Sequence, residues 1–533
     1  ENLDELREGG VIVYDEGLLD VAEIPNFEER AAENDWHVYP LDLRGLARDM
    51  GREVMRNTAG VGATCALTGM ELDHVEDLMR DAMPEKILEP NLEILETAYD
   101  QVSEEYDVDA PDVSVPTGEH DEPQLLMSGS DAIAYGAIDE GCRFIAGYPM
   151  TPWTEVFTIM SQNLPKVGGI SEQVEDEIAA AALAVGASHA GVKAMSGSSG
   201  GGFALMSEPL GLAEMTETPV VLVEAMRAGP STGLPTKPEQ SDLEHVLYTS
   251  QGDSQRVVLA PGTVEEAYEQ SRIAFRLAYE YQIPSILLYD QKLGGEMTNV
   301  PKSHFDREPN PTLGKTLTED ALADEPHSPD GKFHRFQHDV DDGVSPRSIP
   351  GQKGGRYLAT GNEHDPTGHI CEDADNRVAQ IDRRTEKLEA IRADLDTVDT
   401  GSYAGPDDAQ YGIITFGSQQ GTVEEAVGRL NDAGVSVKSY GVSDMLPFPT
   451  DQVEAFVESV DEVLVVEMTA SGQFRGLIQK NLGRYGEKLS SLLKYNGNPF
   501  EPAEVVDGFE AAIIDHDGDA SSHQTTFVPA AGD

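Results

Sequence analysis

Short apolar segments alternate with longer helical patterns between Leu125 and about Asp290, and this alternation constrains the fold more than any other feature of the chain. The apolar segments have the length of strands that are buried on both faces. Strands that alternate with helices in this way indicate a parallel sheet covered by helices on both sides, which is an α/β fold. The predicted strands are Phe144–Ala146, Val192–Ser196, Val220–Glu224, Val257–Ala260 and Ser285–Tyr289, and the predicted helices include Asp131–Glu140, Glu175–Ala190 and Val264–Tyr281.

The chain of 533 residues is long enough for several domains, and changes in composition divide it into six regions. We expect a small first domain at residues 1–100, an acidic linker at 101–124, the parallel-sheet domain at 125–292, an irregular arm at 293–402, a second α/β domain at 403–515 and an acidic tail at 516–533. The chain begins with Glu1 inside a helical pattern, so we also expect sequence upstream of it.

Further elements are predicted outside the parallel-sheet domain. The first domain is predicted to contain a strand at Val11–Tyr14 and a helix at Leu46–Asn57. The arm is expected to end in the polar helix Asn376–Asp394. The second α/β domain is predicted to have the strands Gly412–Phe416, Ser436–Gly441 and Glu462–Glu467 around the helix Val423–Ala433.

The chain is unusually acidic, with 97 Asp and Glu residues against 37 Lys and Arg residues and a formal net charge of −60. Such a charge destabilises a compact protein by self-repulsion unless salt screens it, so we expect a cytosol that contains molar potassium chloride. Apolar segments such as Val220–Val223 and Ile286–Tyr289 argue against an acidic disordered protein. Nucleic acid and anionic membranes are poor partners for this surface.

The few cysteines and the absence of long apolar segments limit the class of protein further. Cys65, Cys142 and Cys371 are too few for a four-thiolate iron–sulfur site within one chain. No segment approaches the ~18 apolar residues of a membrane helix, and no signal peptide is visible, so we expect a cytoplasmic protein. We predict no metal site either, because the spacing of the histidines in the arm is not that of metal ligands; they are His327, His334, His338, His364 and His369.

Gly147–Pro152 directly follows the predicted strand Phe144–Ala146. Its two prolines stiffen a turn at the carboxyl end of a parallel strand, where open sheets bind ligands, and they hold the Thr151 hydroxyl in place. The alternative is a plain strand-to-helix turn in which Thr151 begins the next helix.

Glu177 precedes an alanine-rich helical segment in which no charged residue follows until His189. Small side chains permit another surface to approach closely, so this carboxylate is a candidate for burial at a subunit contact. The alternative is an acidic first turn that only complements the helix dipole.

Two further segments are candidates for ligand binding. Ser196–Phe203 is a Gly/Ser loop that offers backbone donors to an anion, although a tight packing turn explains it equally well. Arg227 begins the segment Arg227–Thr236 after a predicted core strand, and its planar guanidinium suits a carboxylate. An ordinary ion pair is the alternative for Arg227.

Taken in chain order, several segments between residues 125 and 515 resemble the alpha subunit of archaeal 2-oxoacid:ferredoxin oxidoreductases. These segments are Gly129–Ala134, Tyr148–Pro152, Glu175–Ala180, Met206–Glu208, Arg227–Thr236, Thr360–Asp365 and Pro447–Pro449. Residues 1–100 are similar to the carboxyl-terminal part of that family's gamma domain. The resemblance implies a pyrimidine-type thiamine diphosphate domain at 125–292, a transketolase C-terminal-like domain at 403–515 and, with the charge, an extremely halophilic archaeal source.

The resemblance also implies roles for single residues in a thiamine diphosphate site that is shared with a beta subunit. Glu177 matches the catalytic carboxylate that bonds the aminopyrimidine ring, whose protonation favours the tautomer that removes the thiazolium proton. Thr151 and Arg227 match positions that hold the carbonyl and the carboxylate of the substrate. The remaining positions that match cofactor-binding segments are Tyr148, Pro149, Ser198, Ser199 and Gly200.

By the same resemblance, the reaction is oxidative decarboxylation of a 2-oxoacid to an acyl-coenzyme A and carbon dioxide, with electrons passed to ferredoxin. Mg²⁺ and a [4Fe–4S] cluster are expected on the beta subunit. The Gly-Asp-Gly motif that usually holds Mg²⁺ and diphosphate is missing here, and Gly518-Asp519-Ala520 in the acidic tail is a poor substitute. An α2β2 heterotetramer is plausible, and this chain is expected to be inactive alone.

The sequence slightly favours pyruvate over 2-oxoglutarate as the substrate. A 2-oxoglutarate site needs an additional cation for the distal carboxylate, and Lys193, Lys237 and Arg256 are the candidates near the motifs. Two other functions remain open. One is a transketolase- or acetolactate-type thiamine enzyme without iron–sulfur chemistry, and the other is a non-catalytic scaffold subunit.

Overall fold

The computed structural model describes residues 3, 6–49, 53–108, 110, 113, 115, 122–324, 332–398, 400–514 and 525–527. The chain forms two compact units, residues 1–121 and 122–533. Within the described ranges, no helix is both long and apolar enough to cross a membrane. Apart from Thr525–Phe527, the predicted acidic tail 516–533, including Gly518-Asp519-Ala520, lies outside the described residues, as does His327.

The secondary-structure elements are numbered along the chain. The strands are β1 Val11–Asp15, β2 His37–Leu41, β3 Gln124–Ser128, β4 Phe144–Gly147, β5 Ile170–Gln173, β6 Ala194–Ser198, β7 Val220–Met226, β8 Val257–Leu259, β9 Pro284–Asp290, β10 Met297–Pro301, β11 Ser402–Ala404, β12 Tyr411–Thr415, β13 Val437–Gly441, β14 Asp444–Leu446, β15 Glu462–Glu467, β16 Leu489–Leu493 and β17 Thr525–Phe527. The helices are α1 Phe27–Glu33, α2 Leu43–Asp49, α3 Arg56–Thr68, α4 Leu72–Ala82, α5 Glu85–Glu105, α6 Gly129–Asp139, α7 Thr154–Asn163, α8 Glu177–His189, α9 Gly201–Leu205, α10 Ser207–Met215, α11 Leu243–Tyr248, α12 Val264–Tyr281, α13 Gln291–Gly295, α14 Glu319–Asp324, α15 Ala374–Leu395, α16 Gln420–Asp432, α17 Thr450–Glu458, α18 Gln473–Leu482 and α19 Pro502–Phe509.

The first unit is built from the parallel pair β1–β2 and the helices α1–α5. Its core depends on close packing of α3 against α5, because a Cβ atom at Gly62 would overlap the carbonyl oxygen of Leu95. The predicted strand Val11–Tyr14 is confirmed as β1. The predicted single helix Leu46–Asn57 is wrong, since α2 ends at Asp49 and α3 begins at Arg56. Gly51, which disfavours a helix interior, lies between them in the sequence.

The second unit contains the predicted parallel sheet. Seven described strands pair in the order β14-β8-β9-β7-β6-β4-β5. All of them run parallel except β14, which pairs antiparallel with β8. Four predicted strands are confirmed as β4, β7, β8 and β9. The predicted strand Val192–Ser196 lies two residues later, at Ala194–Ser198. Lys193, just before it, is buried, and its Nζ donates to the carbonyls of Glu140 and Asn310.

The second predicted α/β domain is also confirmed in its fold. Six described strands pair in the order β11-β13-β12-β15-β16-β17, and β11 is the antiparallel edge. The predicted strands correspond to β12, β13 and β15, and the predicted helix corresponds to α16. This domain contributes β14 to the first sheet. Gln240 joins the two domains again. Its backbone N donates to the Met468 carbonyl at 2.7 Å, and its side-chain Oε1 accepts from Met468 N at 2.9 Å.

The arm packs onto the first sheet domain through buried charges. The predicted polar helix Asn376–Asp394 is confirmed as α15, and it buries Arg383 and Lys387. Both cations pair with Glu217, which is 1% exposed: Arg383 Nη1 donates to Oε2 at 2.9 Å and Lys387 Nζ to the same oxygen at 2.6 Å. Burial alone would raise the pKa of Glu217, but Arg383 and Lys387 hold that pKa well below its usual range.

Replacing Glu217 with Gln is expected to lower the free energy of unfolding by about 3–5 kcal/mol, because it leaves two buried cations without a counter-charge. Thermal or denaturant unfolding monitored by circular dichroism measures the change. The matched control is Glu425→Gln, which breaks an exposed pair with Arg429 one helical turn away and should cost about 0.5 kcal/mol or less. Equal effects of the two substitutions would contradict a structural role for the buried cluster.

Candidate active site

Three of the segments singled out from the sequence follow neighbouring parallel strands. β4 pairs with β6, and β6 pairs with β7. The turn Gly147–Pro152, the loop 198–202 and the segment beginning at Arg227 therefore lie at the carboxyl ends of three adjacent strands. This edge of an open parallel sheet is where ligands bind.

Glu177 is the first residue of α8, and its side chain is 3% exposed. The preceding Asp176 caps the helix by accepting a hydrogen bond from Ala179 N at 2.8 Å. One oxygen of Glu177, Oε1, accepts a hydrogen bond from Ser198 Oγ at 2.9 Å. A Cβ atom at Gly202 would overlap both of these oxygens, so only glycine lets the loop approach the carboxylate.

The loop 198–202 forms one wall of the site. Ser198 and Ser199 are fully buried, and Gly200 has a left-handed φ of 47°. Ser199 Oγ has no hydrogen-bond partner in the described part of the chain. Ser198 Oγ also lies 3.6 Å from the sulfur of Met150, so the loop contacts the proline-containing turn.

Arg227 and Thr151 are brought together at the same edge. Arg227 is 7% exposed, and its Nη1 donates to the backbone carbonyl of Thr151 at 2.6 Å. Its Nε is buried, and no described residue accepts from it. Thr151, Tyr148 and Pro149 are exposed on the turn. An arginine with an unused donor beside an exposed turn is suited to bind a carboxylate.

The structure adds Glu224 and Asp242, which were not recognised from the sequence. Glu224 lies on the fully buried strand β7, and its Oε1 accepts a hydrogen bond from Gly200 N at 2.7 Å. Its other oxygen, Oε2, is buried and has no hydrogen-bond partner among the described residues. Burial, and then the proximity of Asp242, raise the pKa of Glu224 well above its usual range. The sequence feature that could have indicated Glu224 is its position as the one acidic residue in the otherwise apolar segment VVLVEAM.

The three cations considered for a distal carboxylate have different environments. Lys193 Nζ is buried and donates to the carbonyls of Glu140 at 2.6 Å and Asn310 at 2.8 Å. Arg256 is buried and donates to the carbonyls of Val246 at 3.2 Å and Ser254 at 3.3 Å. Both are thus occupied by structural contacts.

Lys237, in contrast, is exposed. Its carbonyl accepts from Ala228 N at 3.1 Å, which fixes its backbone beside the residue that follows Arg227. Its Nζ donates to Asn498 Oδ1 of the second α/β domain at 3.2 Å. Of the three cations, Lys237 is therefore the one that remains accessible at this edge of the sheet.

These residues fit the pyrimidine half of a thiamine diphosphate site. The ring presents nitrogen donors and acceptors, and the site offers a buried carboxylate at Glu177 and an unpaired hydroxyl at Ser199. Gly202 keeps the loop free of a side chain where it lies against Glu177.

Comparison with family models identifies three matched regions. The model described as pyruvate flavodoxin/ferredoxin oxidoreductase, thiamine diphosphate-binding, matches residues 135–383. Residues 1–101 match pyruvate ferredoxin/flavodoxin oxidoreductase, and residues 409–505 match pyruvate:ferredoxin oxidoreductase core domain II. The parallel-sheet domain is thus a thiamine diphosphate-binding domain, as the resemblance implied.

Individual relatives agree with the family models. The alpha subunit of 2-oxoacid:ferredoxin oxidoreductase 2 from Aeropyrum pernix is 31% identical over 505 residues, which are 89% of this chain and 76% of the relative. The 2-oxoglutarate synthase subunit KorA from Methanothermobacter marburgensis is 35% identical over 390 residues, 72% of this chain and 97% of the relative.

A solved structure is similar over nearly the whole chain. It is the 2-oxoglutarate:ferredoxin oxidoreductase from Magnetococcus marinus with 2-oxoglutarate, coenzyme A and succinyl-coenzyme A bound. The TM-score is 0.85 at 32% sequence identity, and the match covers 96% of this chain and 85% of the other. Fold, site and relatives together lead to one conclusion: this chain belongs to the alpha-subunit family of the 2-oxoacid:ferredoxin oxidoreductases.

Proposed function

We propose that this chain, together with a beta subunit, catalyses the coenzyme A-dependent oxidative decarboxylation of 2-oxoglutarate, with ferredoxin as electron acceptor. The observation that carries the proposal is the convergence of Glu177, the loop 198–202 and Arg227 at one edge of the parallel sheet. Thiamine diphosphate, when bound, supplies the nucleophilic carbon and the electron sink for decarboxylation.

The residues of this chain would bind and orient the reactants. Glu177 would hold a proton between its carboxylate and a ring nitrogen of the cofactor, while Ser198 fixes the carboxylate through Oε1. Tyr148, Pro149, Ser199 and Gly200 would line the cofactor's side of the site, and the Thr151 hydroxyl would meet the carbonyl of the substrate. Arg227, anchored by its bond to the Thr151 carbonyl, would present its guanidinium to the carboxylate next to the 2-oxo group.

The assignment of 2-oxoglutarate as the substrate depends on a cation that is available to bind its second carboxylate. A second carboxylate requires a cation that is not already satisfied, and Lys237 is accessible whereas Lys193 and Arg256 are not. The relatives named as 2-oxoglutarate enzymes point in the same direction. For these reasons we propose 2-oxoglutarate and not pyruvate, which the sequence slightly favoured. The Aeropyrum relative is named only as a 2-oxoacid enzyme.

The other parts of the active site are proposed to lie on the beta subunit. We expect Mg²⁺, the contacts to the diphosphate and a [4Fe–4S] cluster on the beta subunit. The start of α8 supports a subunit contact beside Glu177, because the apolar side chain of Ile178, the next residue, is 49% exposed. We also propose an α2β2 assembly in a high-salt cytosol, because salt would screen the net charge of −60.

Anaerobic reduction of a viologen dye by the purified complex in molar potassium chloride tests this function. With coenzyme A present, reduction should be faster with 2-oxoglutarate than with pyruvate. A preference for pyruvate would overturn the substrate assignment and leave the reaction class intact. A complex that contains thiamine diphosphate and iron but reduces the dye with neither acid would contradict the proposed function.

Glu177→Gln is expected to lower kcat of the assembled complex about 10²- to 10⁴-fold, because an amide cannot exchange a proton with the cofactor ring. The matched control is Glu175→Gln, which removes an exposed carboxylate two residues earlier and should leave the rate unchanged. Retention of full activity by the Glu177 variant would show that this carboxylate has no catalytic role.

Lys237→Met is expected to lower kcat/KM for 2-oxoglutarate about 10- to 100-fold, since a charge-assisted hydrogen bond to the distal carboxylate is lost. The value for pyruvate should stay within about twofold of wild type, because pyruvate lacks that carboxylate. Lys302→Met, at an exposed lysine after β10, is the control for loss of surface charge. An equal loss with both substrates would assign Lys237 a structural role only.

A further inference from the structure

The segment 228–240, which begins directly after the candidate substrate-binding arginine, leaves the interior of the protein and returns to it. Residues 231–237 are exposed, whereas Gln240 is 1% exposed. Within the segment, Ala228 N donates to the Lys237 carbonyl at 3.1 Å and closes a loop at its base. The position of Lys237 therefore depends on how the returning end of the segment, at Gln240, is held.

Gln240 fixes the returning end through four hydrogen bonds. Its backbone N donates to the Met468 carbonyl at 2.7 Å, and its Oε1 accepts from Met468 N at 2.9 Å. Its Nε2 donates to the Phe416 carbonyl at 2.9 Å and to Asp290 Oδ2 at 3.3 Å. A side chain that cannot hydrogen-bond would remove a partner from each of these buried groups, which is costly.

The partners of Gln240 lie at the carboxyl ends of strands in both sheets. Phe416 directly follows β12, and Met468 directly follows β15, its parallel neighbour in the second sheet. Asp290 is the last residue of β9 in the first sheet. Gly417 has a φ of 64°, and a Cβ atom there would lie 2.6 Å from Gln240 Nε2, so only glycine admits the glutamine. Both domains thus determine the position of Gln240.

A separate contact holds the chain beyond Gln240. Gln473 Nε2 donates to the Ser241 carbonyl at 2.7 Å, and Gln473 Oε1 accepts from Glu244 N at 2.9 Å. The start of α11 therefore keeps its own attachment to the second domain when Gln240 is replaced. The effect of a replacement should be confined to the segment that precedes Gln240.

We propose that Gln240 is a positioning residue for substrate binding: it fixes the returning end of the segment 228–240 to the second α/β domain and thereby holds Lys237 at the edge of the first sheet. This inference rests on the proposed function, in which Lys237 binds the distal carboxylate of 2-oxoglutarate. Gln240 acts on the substrate only through Lys237. Through it, the second domain contributes to the choice of substrate.

Gln240→Met tests the inference in the assembled complex, because methionine has a similar length but makes none of the three side-chain hydrogen bonds. The value of kcat/KM for 2-oxoglutarate should fall about 3- to 10-fold, and that for pyruvate should stay within about twofold of wild type. In the Lys237→Met background, the same substitution should change kcat/KM for 2-oxoglutarate by less than about twofold, since Gln240 acts through Lys237. Equal losses in both backgrounds and with both acids would assign Gln240 a structural role only and overturn the inference.

Hydrogen exchange of the complex, followed by mass spectrometry, provides a readout that does not depend on catalysis. Peptides that cover residues 228–240 should exchange about tenfold or more faster in Gln240→Met than in wild type, because the returning end is released. The matched control is Gln420→Met. Gln420 is also 1% exposed and also bonds across the two domains, with its Nε2 3.4 Å from Glu266 Oε2. Its replacement should leave exchange at 228–240 unchanged, and an equal acceleration in both variants would contradict the inference.

If Gln240→Met does not assemble, Gln240→Asn is compared in the same way, because it keeps the backbone bond to Met468 and shortens only the side chain. A wild-type complex that prefers pyruvate would refute the substrate assignment, and the exchange comparison would then still decide whether Gln240 anchors the segment. A wild-type complex that prefers 2-oxoglutarate, with a Gln240 variant that exchanges at the wild-type rate, would refute the role of Gln240 alone.

Discussion

The parallel pairing of β4, β6 and β7 is the constraint on which the site depends. Phe144 lies beside Ala194 and Met195 beside Val221, so the three strands run in one direction and end at one edge. Each strand is followed by a segment with different chemistry: a proline-containing turn, a glycine-rich loop and an arginine. None of these segments would form a site alone, and their convergence follows from the direction of the strands.

The distribution of charge explains why a search for binding cations by sequence alone is unreliable in this chain. The chain has 97 Asp and Glu residues and only 37 Lys and Arg residues, so an arginine or lysine near a motif suggests a binding role. Several of the cations are nevertheless buried, where they satisfy carbonyl oxygens or a single buried acid, as Lys193, Arg256 and the Glu217 cluster illustrate. Lys237 is distinguished by its exposure and Arg227 by a donor without a partner among the described residues, rather than by proximity in sequence.

Much of the fold could be predicted from the sequence because its signals are local. The apolar runs of β7 and β9 and the helical pattern of α8 depend on periodicity within a few residues. The contribution of β14 to a sheet in the other domain could not be predicted, since it pairs strands almost 190 residues apart. The site divides in the same way: Glu177 and Arg227 lie in recognisable segments, whereas the hydrogen bond between Glu224 and Gly200 joins residues of two different segments and could not be predicted.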